Sequence, residues 1–287
     1  MSIVITGAAG QLGRKVVEEL KRLVDATSIV ALSRDPGKIA DLGVPTRYAD
    51  FDDPGSLAAA FAGAERLLLI STDKVGARLA QHINAVNAAA AAGVGHVFYT
   101  SAPRASDDGN PALVIPEHRG TEEALAASGV PYTALRNNIY TETLLLAVPQ
   151  IVASGVHAAN SGAGGTSYVT RDDLAAATAA ILADRADPGR VLELTGPAPI
   201  TAADLAAIVR DISGKEIRVQ ALSDEQLSAS LAAAGLAPEA NAALVSFGRA
   251  AREGYLGIVT DVVERYLGRT PTTVAAFLAA TTAAVAA

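Results

Sequence analysis

Residues 3–13 are Ile3-Val4-Ile5-Thr6-Gly7-Ala8-Ala9-Gly10-Gln11-Leu12-Gly13, and this stretch decides the fold. An apolar run passes into three glycines spaced three residues apart, and an amphipathic pattern follows, so the order predicts strand, tight turn and helix. Glycines at this spacing let the backbone turn sharply, approach a pyrophosphate without a Cβ and pack the helix closely on the strand. The motif predicts a dinucleotide site, although glycines also serve purely structural turns. The predicted contact residues are Gly7, Ala9, Gly10, Gln11, Leu12 and Gly13.

The composition is that of an ordinary globular protein. Hydrophobic residues make up 50% of the 287 residues, which is enough for one large or two small domains. The formal net charge is -7 and no basic patch occurs, so nucleic acid is not an expected ligand. The absence of cysteine excludes disulfides and cysteine metal sites and suits a reducing compartment. We expect a cytoplasmic protein without a membrane segment, because neither a leader pattern nor a long apolar run occurs.

Strand-like and helix-like segments alternate through the first half of the chain. After the first strand, the pattern predicts strands at residues 28–32, 47–49, 66–70, 96–100 and 130–135, and helices at 14–23, 54–61, 76–92 and 116–128. Such alternation is typical of a doubly wound parallel sheet with crossover helices. The predicted fold class is therefore α/β of the Rossmann type.

The alternation loosens after residue 136. A short strand at 191–194 and helices after Thr201, after Asp224 and near 261–267 and 272–284 are separated by glycine-rich and proline-containing segments. We predict an NAD(P)-binding domain at residues 1–136 and a smaller C-terminal substrate lobe at 137–287, from which segments return to the core.

The residues after the second and third strands bear on the choice of dinucleotide. No acid stands directly at the end of the second strand to bind both ribose hydroxyls, and Arg34 is placed to bind a 2′-phosphate, with Lys38 nearby. This favours NADPH over NADH. The alternative is that Arg34 and Lys38 are solvated loop charges and that Asp35 repels a phosphate. After the third strand, Asp50 and Phe51 are candidates to bind the adenine amino group and one ring face, or else form a turn and part of the core.

Hydroxyl side chains follow the fourth and fifth strands. Ser71 and Thr72 lie where ligands of parallel sheets bind, and Thr100 and Ser101 lie nearer the expected nicotinamide. Hydroxyls at strand ends are often only turn formers, which is the alternative for all four. Lys74 matches no motif and is either a phosphate contact or a solvated charge.

The joint order of several short motifs carries a family resemblance over essentially the whole chain. The motifs are residues 5–13, Arg34-Asp35-Pro36, residues 67–71, Tyr99-Thr100-Ser101, Glu117-His118, Leu135-Arg136-Asn137 and Tyr140-Thr141-Glu142. They resemble the atypical, extended short-chain dehydrogenase/reductases, in particular the NmrA-like branch that includes bacterial quinone reductases and triphenylmethane reductase. The resemblance implies a Rossmann fold that binds NADPH.

One feature of the wider superfamily is missing from the sequence. Most of its dehydrogenases carry Tyr-x-x-x-Lys on a helix, but none of the seven tyrosines here is followed by lysine at that spacing. Alcohol oxidation by that pair is therefore not expected. The corresponding predicted helix contains His118 and Glu122 at i and i+4, on one face. We take His118 as a candidate catalytic residue; the alternative is an exposed helical pair or a capping histidine.

The segment after the sixth strand completes the candidate site. The resemblance puts a wall between nicotinamide and substrate there, and Asn138 and Tyr140 are candidates to donate hydrogen bonds to a carbonyl oxygen. Local capping by the asparagine and a buried tyrosine are the alternatives. The four histidines show no metal-ligand spacing, so no metal is expected.

Two functional classes remain open from the sequence. The first is an NADPH-dependent reductase of quinones or similar electron-poor conjugated carbonyl compounds, in which a stabilised hydroquinone anion takes its proton from water without a dedicated strong acid. The second is a non-catalytic NmrA-like regulator that senses dinucleotide and acts through a protein partner. The sequence motifs favour the reductase, and a homodimer is the default assembly.

Overall fold

A computed structural model describes residues 2–186 and 188–286. Its strands are β1 (Ile3–Ile5), β2 (Ile29–Ser33), β3 (Thr46–Tyr48), β4 (Arg66–Leu69), β5 (His96–Ser101), β6 (Tyr132–Asn137), β7 (Val156–Ala159), β8 (Gly165–Thr166), β9 (Val191–Leu194), β10 (Ile200–Thr201) and β11 (Arg218–Ala221). Its helices are α1 (Gln11–Leu20), α2 (Pro54–Phe61), α3 (Arg78–Ala91), α4 (Ile115–Ser128), α5 (Leu144–Ser154), α6 (Arg171–Ala183), α7 (Ala202–Ser213), α8 (Asp224–Ala233), α9 (Pro238–Arg252), α10 (Val262–Leu267) and α11 (Val274–Ala286).

The central sheet has seven parallel strands in the order β3-β2-β1-β4-β5-β6-β9. The strand order reverses at β1, which pairs with β2 on one side and β4 on the other, and this creates a crevice at the carboxyl ends of the strands. The predicted α/β fold of the Rossmann type is confirmed.

Both faces of the sheet are buried, as crossover helices require. Ile3 and Ile5 belong to the core beneath α1 and α6, whereas Val4 belongs to the core beneath α2, α3 and α4. This alternation follows from the two-residue period of a strand. The apolar run at the start of the chain is thus buried on both sides and holds the glycine turn against a rigid support.

The second half of the chain contributes both to the central sheet and to a separate core. Strand β9 joins the sheet beside β6, and α6 packs against α1. Helices α5, α7 and α11 enclose another apolar cluster, next to the small sheets β7-β11 and β8-β10. The domain division at residue 136 stays a prediction. None of the helices within 2–186 and 188–286 has the length and apolarity needed to cross a membrane.

Candidate functional site

A groove of about 430 Å³ lies at the carboxyl ends of β1, β2 and β4, where the strand order reverses. Most of the predicted cofactor residues meet there. The groove is lined by Thr6, Gly7, Ala9, Gly10, Leu32, Ser33, Arg34, Asp35, Lys38, Ala49, Asp50, Phe51, Ile70, Ser71, Thr72, Asp73, Lys74 and Gln81.

The glycine turn forms the floor of the groove. Gly7 has φ +62°, which favours glycine, and a Cβ at Gly13 would collide with the Gly7 carbonyl, so both positions require glycine. Gly10 is the N-cap of α1 and offers no side-chain cap. The N–H groups of the next three residues, Gln11 to Gly13, have no acceptor among the described residues. Free N–H groups at a helix N-terminus without acidic side chains suit an anion such as a pyrophosphate.

Cationic side chains border one end of the groove. Arg34 is exposed and has no hydrogen-bond or ion-pair partner in the described part of the chain. Lys38 has only a loose contact with Asp35, at 3.9 Å between Nζ and Oδ2. The Asp35 carboxylate also accepts from the N–H of Gly37 at 3.1 Å, so this carboxylate is engaged locally. The arrangement leaves Arg34 free to bind an added phosphate.

A chain of polar contacts connects the loop after β4, helix α3 and the loop after β3. The Thr72 hydroxyl donates to Gln81 Oε1 at 2.8 Å, and Gln81 Nε2 donates to Asp52 Oδ1 at 2.8 Å. Lys74 binds the other oxygen of Asp52, also at 2.8 Å, and these hydrogen bonds from Lys74 and Gln81 lower the pKa of Asp52. Asp50 and Phe51 line the groove beside this chain.

The predicted hydroxyl residues have different positions. Ser71 and Thr72 line the groove, whereas Thr100 and Ser101 are buried and do not. The Ser71 N–H donates to Thr100 Oγ1 at 2.8 Å, so Thr100 supports the wall from behind. Ser101 donates to Glu122 Oε1 at 2.6 Å. A direct cofactor contact of Thr100 or Ser101 stays a prediction.

His118 lies in a buried network behind the groove rather than among the groove-lining residues. Its Nδ1 is 2.8 Å from the Tyr99 hydroxyl, and its Nε2 accepts from Arg78 at 2.9 Å. Glu122, the predicted companion of His118, instead binds Arg136, with 2.6 Å between Oε2 and the guanidinium. A catalytic role of His118 at the reacting atoms stays a prediction. Within 2–186 and 188–286, no group of His, Asp and Glu side chains has metal-binding geometry.

Burial keeps the two histidines behind the groove neutral. Burial, with a smaller contribution from the charge of Arg78, lowers the pKa of His82 to about 4 and the pKa of His118 to about 3. The ordinary value for the unfolded chain is 6.5. At neutral pH each imidazole therefore has one N–H and one free nitrogen, which defines what each can donate and accept.

These shifts predict a stability that falls with acid. A histidine whose folded pKa lies below its unfolded pKa contributes stability above pH 6.5, which is lost as the pH falls toward the folded value. In that interval, each histidine lowers the free energy of unfolding by up to about 1.4 kcal/mol for each unit by which the pH falls. We expect the difference in free energy of unfolding between the wild type and His118→Gln to shrink by roughly 2 kcal/mol between pH 7 and pH 5, as measured by denaturant unfolding. Parallel pH dependences would contradict the buried, neutral state of His118.

Asn138 and Tyr140 follow β6, and their side chains differ in the hydrogen bonds that they form. Asn138 is buried, its Nδ2 donates to the Leu256 carbonyl at 3.0 Å, and its Oδ1 accepts from the N–H of Ile139 at 2.8 Å. Among the described residues, the Tyr140 hydroxyl has only a long contact, at 3.5 Å from Asn137 Nδ2, and the Arg171 guanidinium lies 4.6 Å from the Tyr140 ring centroid. Burial raises the pKa of Tyr140, so the hydroxyl keeps its proton at neutral pH. Substrate contact by either residue stays a prediction.

Sequence reasoning missed Gln81, which lines the groove, and Asp52, which binds Gln81 and Lys74 without lining the groove itself. Gln81 is buried on α3, and Asp52 follows Phe51 in the loop after β3. Their signal in the sequence was weak, because a glutamine on a helix and an aspartate in a loop are ordinary surface residues. The two side chains matter here because α3 and the loop after β3 meet over the same groove.

The profile of the NAD(P)H-binding family matches residues 7–185, which include the glycine turn and all of the groove-lining residues except Thr6. The chain belongs to this NAD(P)H-binding family. It is 40% identical to quinone oxidoreductase 2 of Escherichia coli K12 over 276 residues, which are 95% of this chain and 96% of that protein. An Aspergillus flavus oxidoreductase with an NmrA-like family domain is 28% identical over 94% of this chain and 92% of that protein.

Solved structures of this NAD(P)H-binding family agree with the fold. The E. coli NADPH-dependent quinone oxidoreductase QOR2, complexed with NADPH, has a TM-score of 0.93 and 39% identity, covering 97% of this chain and 99% of that one. Citrobacter sp. triphenylmethane reductase, complexed with NADP(H), has a TM-score of 0.88 and 32% identity, covering 97% and 100%.

These comparisons confirm the predicted NmrA-like relationship and the NAD(P)H cofactor, and with them the assignment to NAD(P)H-dependent oxidoreductases. The contacts of individual residues with the cofactor stay predictions.

Proposed function

We propose that this protein is an NADPH-dependent reductase that transfers hydride to quinones or similar electron-poor conjugated carbonyl compounds. The observation that carries the proposal is the groove, which is lined both by the glycine turn before α1 and by Arg34, a residue without a hydrogen-bond or ion-pair partner in the described part of the chain. This combination suits a dinucleotide with an additional 2′-phosphate. The relationship to quinone oxidoreductase 2 across nearly the full length of both proteins supports the choice of acceptor.

The residues present suit a reaction that requires little acid catalysis. NADPH supplies the hydride when bound, and the chain has no Tyr-x-x-x-Lys pair to exchange a proton with an alcohol. A quinone needs only a polarised carbonyl oxygen, because the hydroquinone anion takes its proton from water. The Tyr140 hydroxyl keeps its proton and has no short hydrogen bond to any residue that the structure describes, so we propose that it donates to this oxygen.

The test is NADPH oxidation by the purified protein, with and without a simple benzoquinone, beside the same assay with NADH and beside binding titrations of both dinucleotides. Quinone-dependent oxidation that prefers NADPH would support the proposal. Tight NADPH binding without turnover of quinones and enones would overturn it and favour the dinucleotide-sensing regulator.

Tyr140→Phe tests the proposed donor. We expect kcat with quinone to fall roughly tenfold, because one hydrogen bond to the developing anion is lost, while the Kd of NADPH stays unchanged. Tyr132→Phe is the matched control, since Tyr132 begins β6, the strand that Tyr140 follows, at the end away from the groove, and also lies beside an arginine, Arg190 at 5.5 Å. Equal activity of the two variants would exclude Tyr140 as the donor.

A further inference from the structure

A line of buried polar side chains runs from the groove wall into the space between α3 and α4. In order, its members are His82, Tyr99, His118 and Arg78, each at least nine-tenths buried. We propose that this line positions the segment of residues 71–77 for NADPH binding, with His82 as the positioning residue that contacts the segment. The cofactor groove alone carries this inference, so it does not depend on the proposed quinone acceptor.

The contacts determine the direction of every hydrogen bond. The Thr72 N–H donates to His82 Nε2 at 3.1 Å, so the proton of neutral His82 is on Nδ1, 3.0 Å from Thr121 Oγ1. Arg78 can only donate, so His118 Nε2 accepts and the His118 proton is on Nδ1, facing the Tyr99 hydroxyl. The Tyr99 hydroxyl oxygen also lies 3.3 Å from His82 Nδ1, so Tyr99 connects the two histidines. The line has one consistent proton arrangement, and it leaves His82 Nε2 as an acceptor for the groove wall.

The same buried region holds the segment at a second point. Gly76 has φ +91°, and its N–H donates to Glu117 Oε1 at 3.0 Å. Glu117 faces Arg78, with 3.5 Å between Oε2 and Nε. The segment is therefore fixed through backbone N–H groups at both ends, while the Lys74 side chain between them binds Asp52.

The energetics argue against a role in packing alone. Desolvating two imidazoles, a guanidinium and a carboxylate is unfavourable, and apolar residues of similar volume generally fill such a space with no loss of stability. Arg78 Nε and Glu117 Oε2 have only their long mutual ion pair at 3.5 Å, and neither atom has a hydrogen bond in the described part of the chain, so the network is not optimal for stability. We assign the function of the network to His82, at the end nearest the groove, where the network holds the loop backbone of the groove wall in one conformation.

Two substitutions at position 82 separate positioning from packing. Glutamine places its amide oxygen where His82 Nε2 lies and retains an acceptor for the Thr72 N–H, whereas asparagine reaches only the Nδ1 position, near Thr121. We expect His82→Asn to raise the Kd of NADPH roughly fivefold to tenfold, and His82→Gln to stay within about twofold of wild type. Hydrogen exchange of residues 71–77 should accelerate in His82→Asn and not in His82→Gln, with a thermal melt of each variant as the folding check.

The results distinguish a positioning role of His82 from a role in packing alone. The proposal would be overturned if His82→Asn left the Kd of NADPH unchanged, or if both variants raised this Kd equally. In either case, NADPH binding would not depend on an acceptor for the Thr72 N–H. Should His82→Asn fail to fold, Tyr99→Phe keeps the ring and interrupts the line beyond His82. We then expect a roughly threefold rise in the Kd of NADPH and faster exchange at 71–77, and unchanged values would overturn the proposal. All of these measurements are made on NADPH binding in the absence of quinone. Their results therefore do not depend on whether the protein reduces quinones.

Discussion

Arg34→Ala is expected to raise the Kd of NADPH roughly 30-fold and to change the Kd of NADH less than about twofold. Arg34 lines the groove, is exposed and has no hydrogen-bond or ion-pair partner in the described part of the chain, so its guanidinium can bind a phosphate. A guanidinium binds a phosphate through paired charge-assisted hydrogen bonds, and an unphosphorylated ribose offers no such ligand. The measurement is a fluorescence or calorimetric titration with each dinucleotide.

A matched control separates a local contact from the general loss of one positive charge. Arg22→Ala makes the same change in net charge on an exposed residue whose partner is Glu19, at 2.6 Å, outside the groove. We expect this variant to bind NADPH almost as the wild type does, because solvent and salt screen a distant surface charge. Equal losses for NADPH and NADH in Arg34→Ala would contradict a 2′-phosphate contact.

The fold was predictable because the strongest local signals agree with the long-range structure. The apolar run before Gly7 and the glycine spacing define β1, the turn and α1, and the regular alternation after them implies crossover connections. The strand predicted at 191–194 has these bounds in the structure, although its place beside β6 was not evident. Pairing between segments that are distant in sequence depends on the whole core, and no local pattern contains that information.

The cofactor groove was predictable in part. Residues directly after strands, such as Arg34 and Ser71, line it because the carboxyl ends of parallel strands meet at one edge. Thr100 lies near the carboxyl end of β5, but it is behind Ser71. The position of a residue along its strand determines whether it lies at the carboxyl edge of the sheet. Whether its side chain reaches the groove depends on which loop covers it, and the spacing of residues in the sequence does not show which loop that is.

The helical pair His118 and Glu122 shows a second limit. The i, i+4 spacing correctly places both side chains on the buried side of α4. Their partners are nevertheless different, since His118 contacts Tyr99 and Arg78 while Glu122 contacts Arg136. Each partner comes from a different element packed on α4, and a helical spacing cannot distinguish among them.

Arg136→Met is expected to lower the free energy of unfolding by about 3–5 kcal/mol. The Arg136 side chain is 7% exposed and joins two carboxylates, at 2.6 Å from Glu122 and 3.2 Å from Glu193. Methionine fills much of the volume but leaves two buried carboxylates without their counter-ion. Arg210→Met is the control, because Arg210 is 49% exposed and pairs only with Asp211 at the surface, where an ion pair contributes about 0–1 kcal/mol. Denaturant unfolding measures both variants, and similar losses would contradict the prediction.

The pH dependence identifies the origin of that loss. Burial already raises the pKa of Glu193 in the wild type, against the opposing effect of Arg136, so removing the arginine raises this pKa further. A carboxyl whose folded pKa lies above its unfolded pKa binds more protons in the folded state, and the variant therefore regains stability as the pH falls through the folded value. The difference between wild type and Arg136→Met should shrink between pH 7.5 and pH 5. A difference independent of pH would assign the loss to the missing packing of the arginine side chain, because packing does not change with protonation of Glu193.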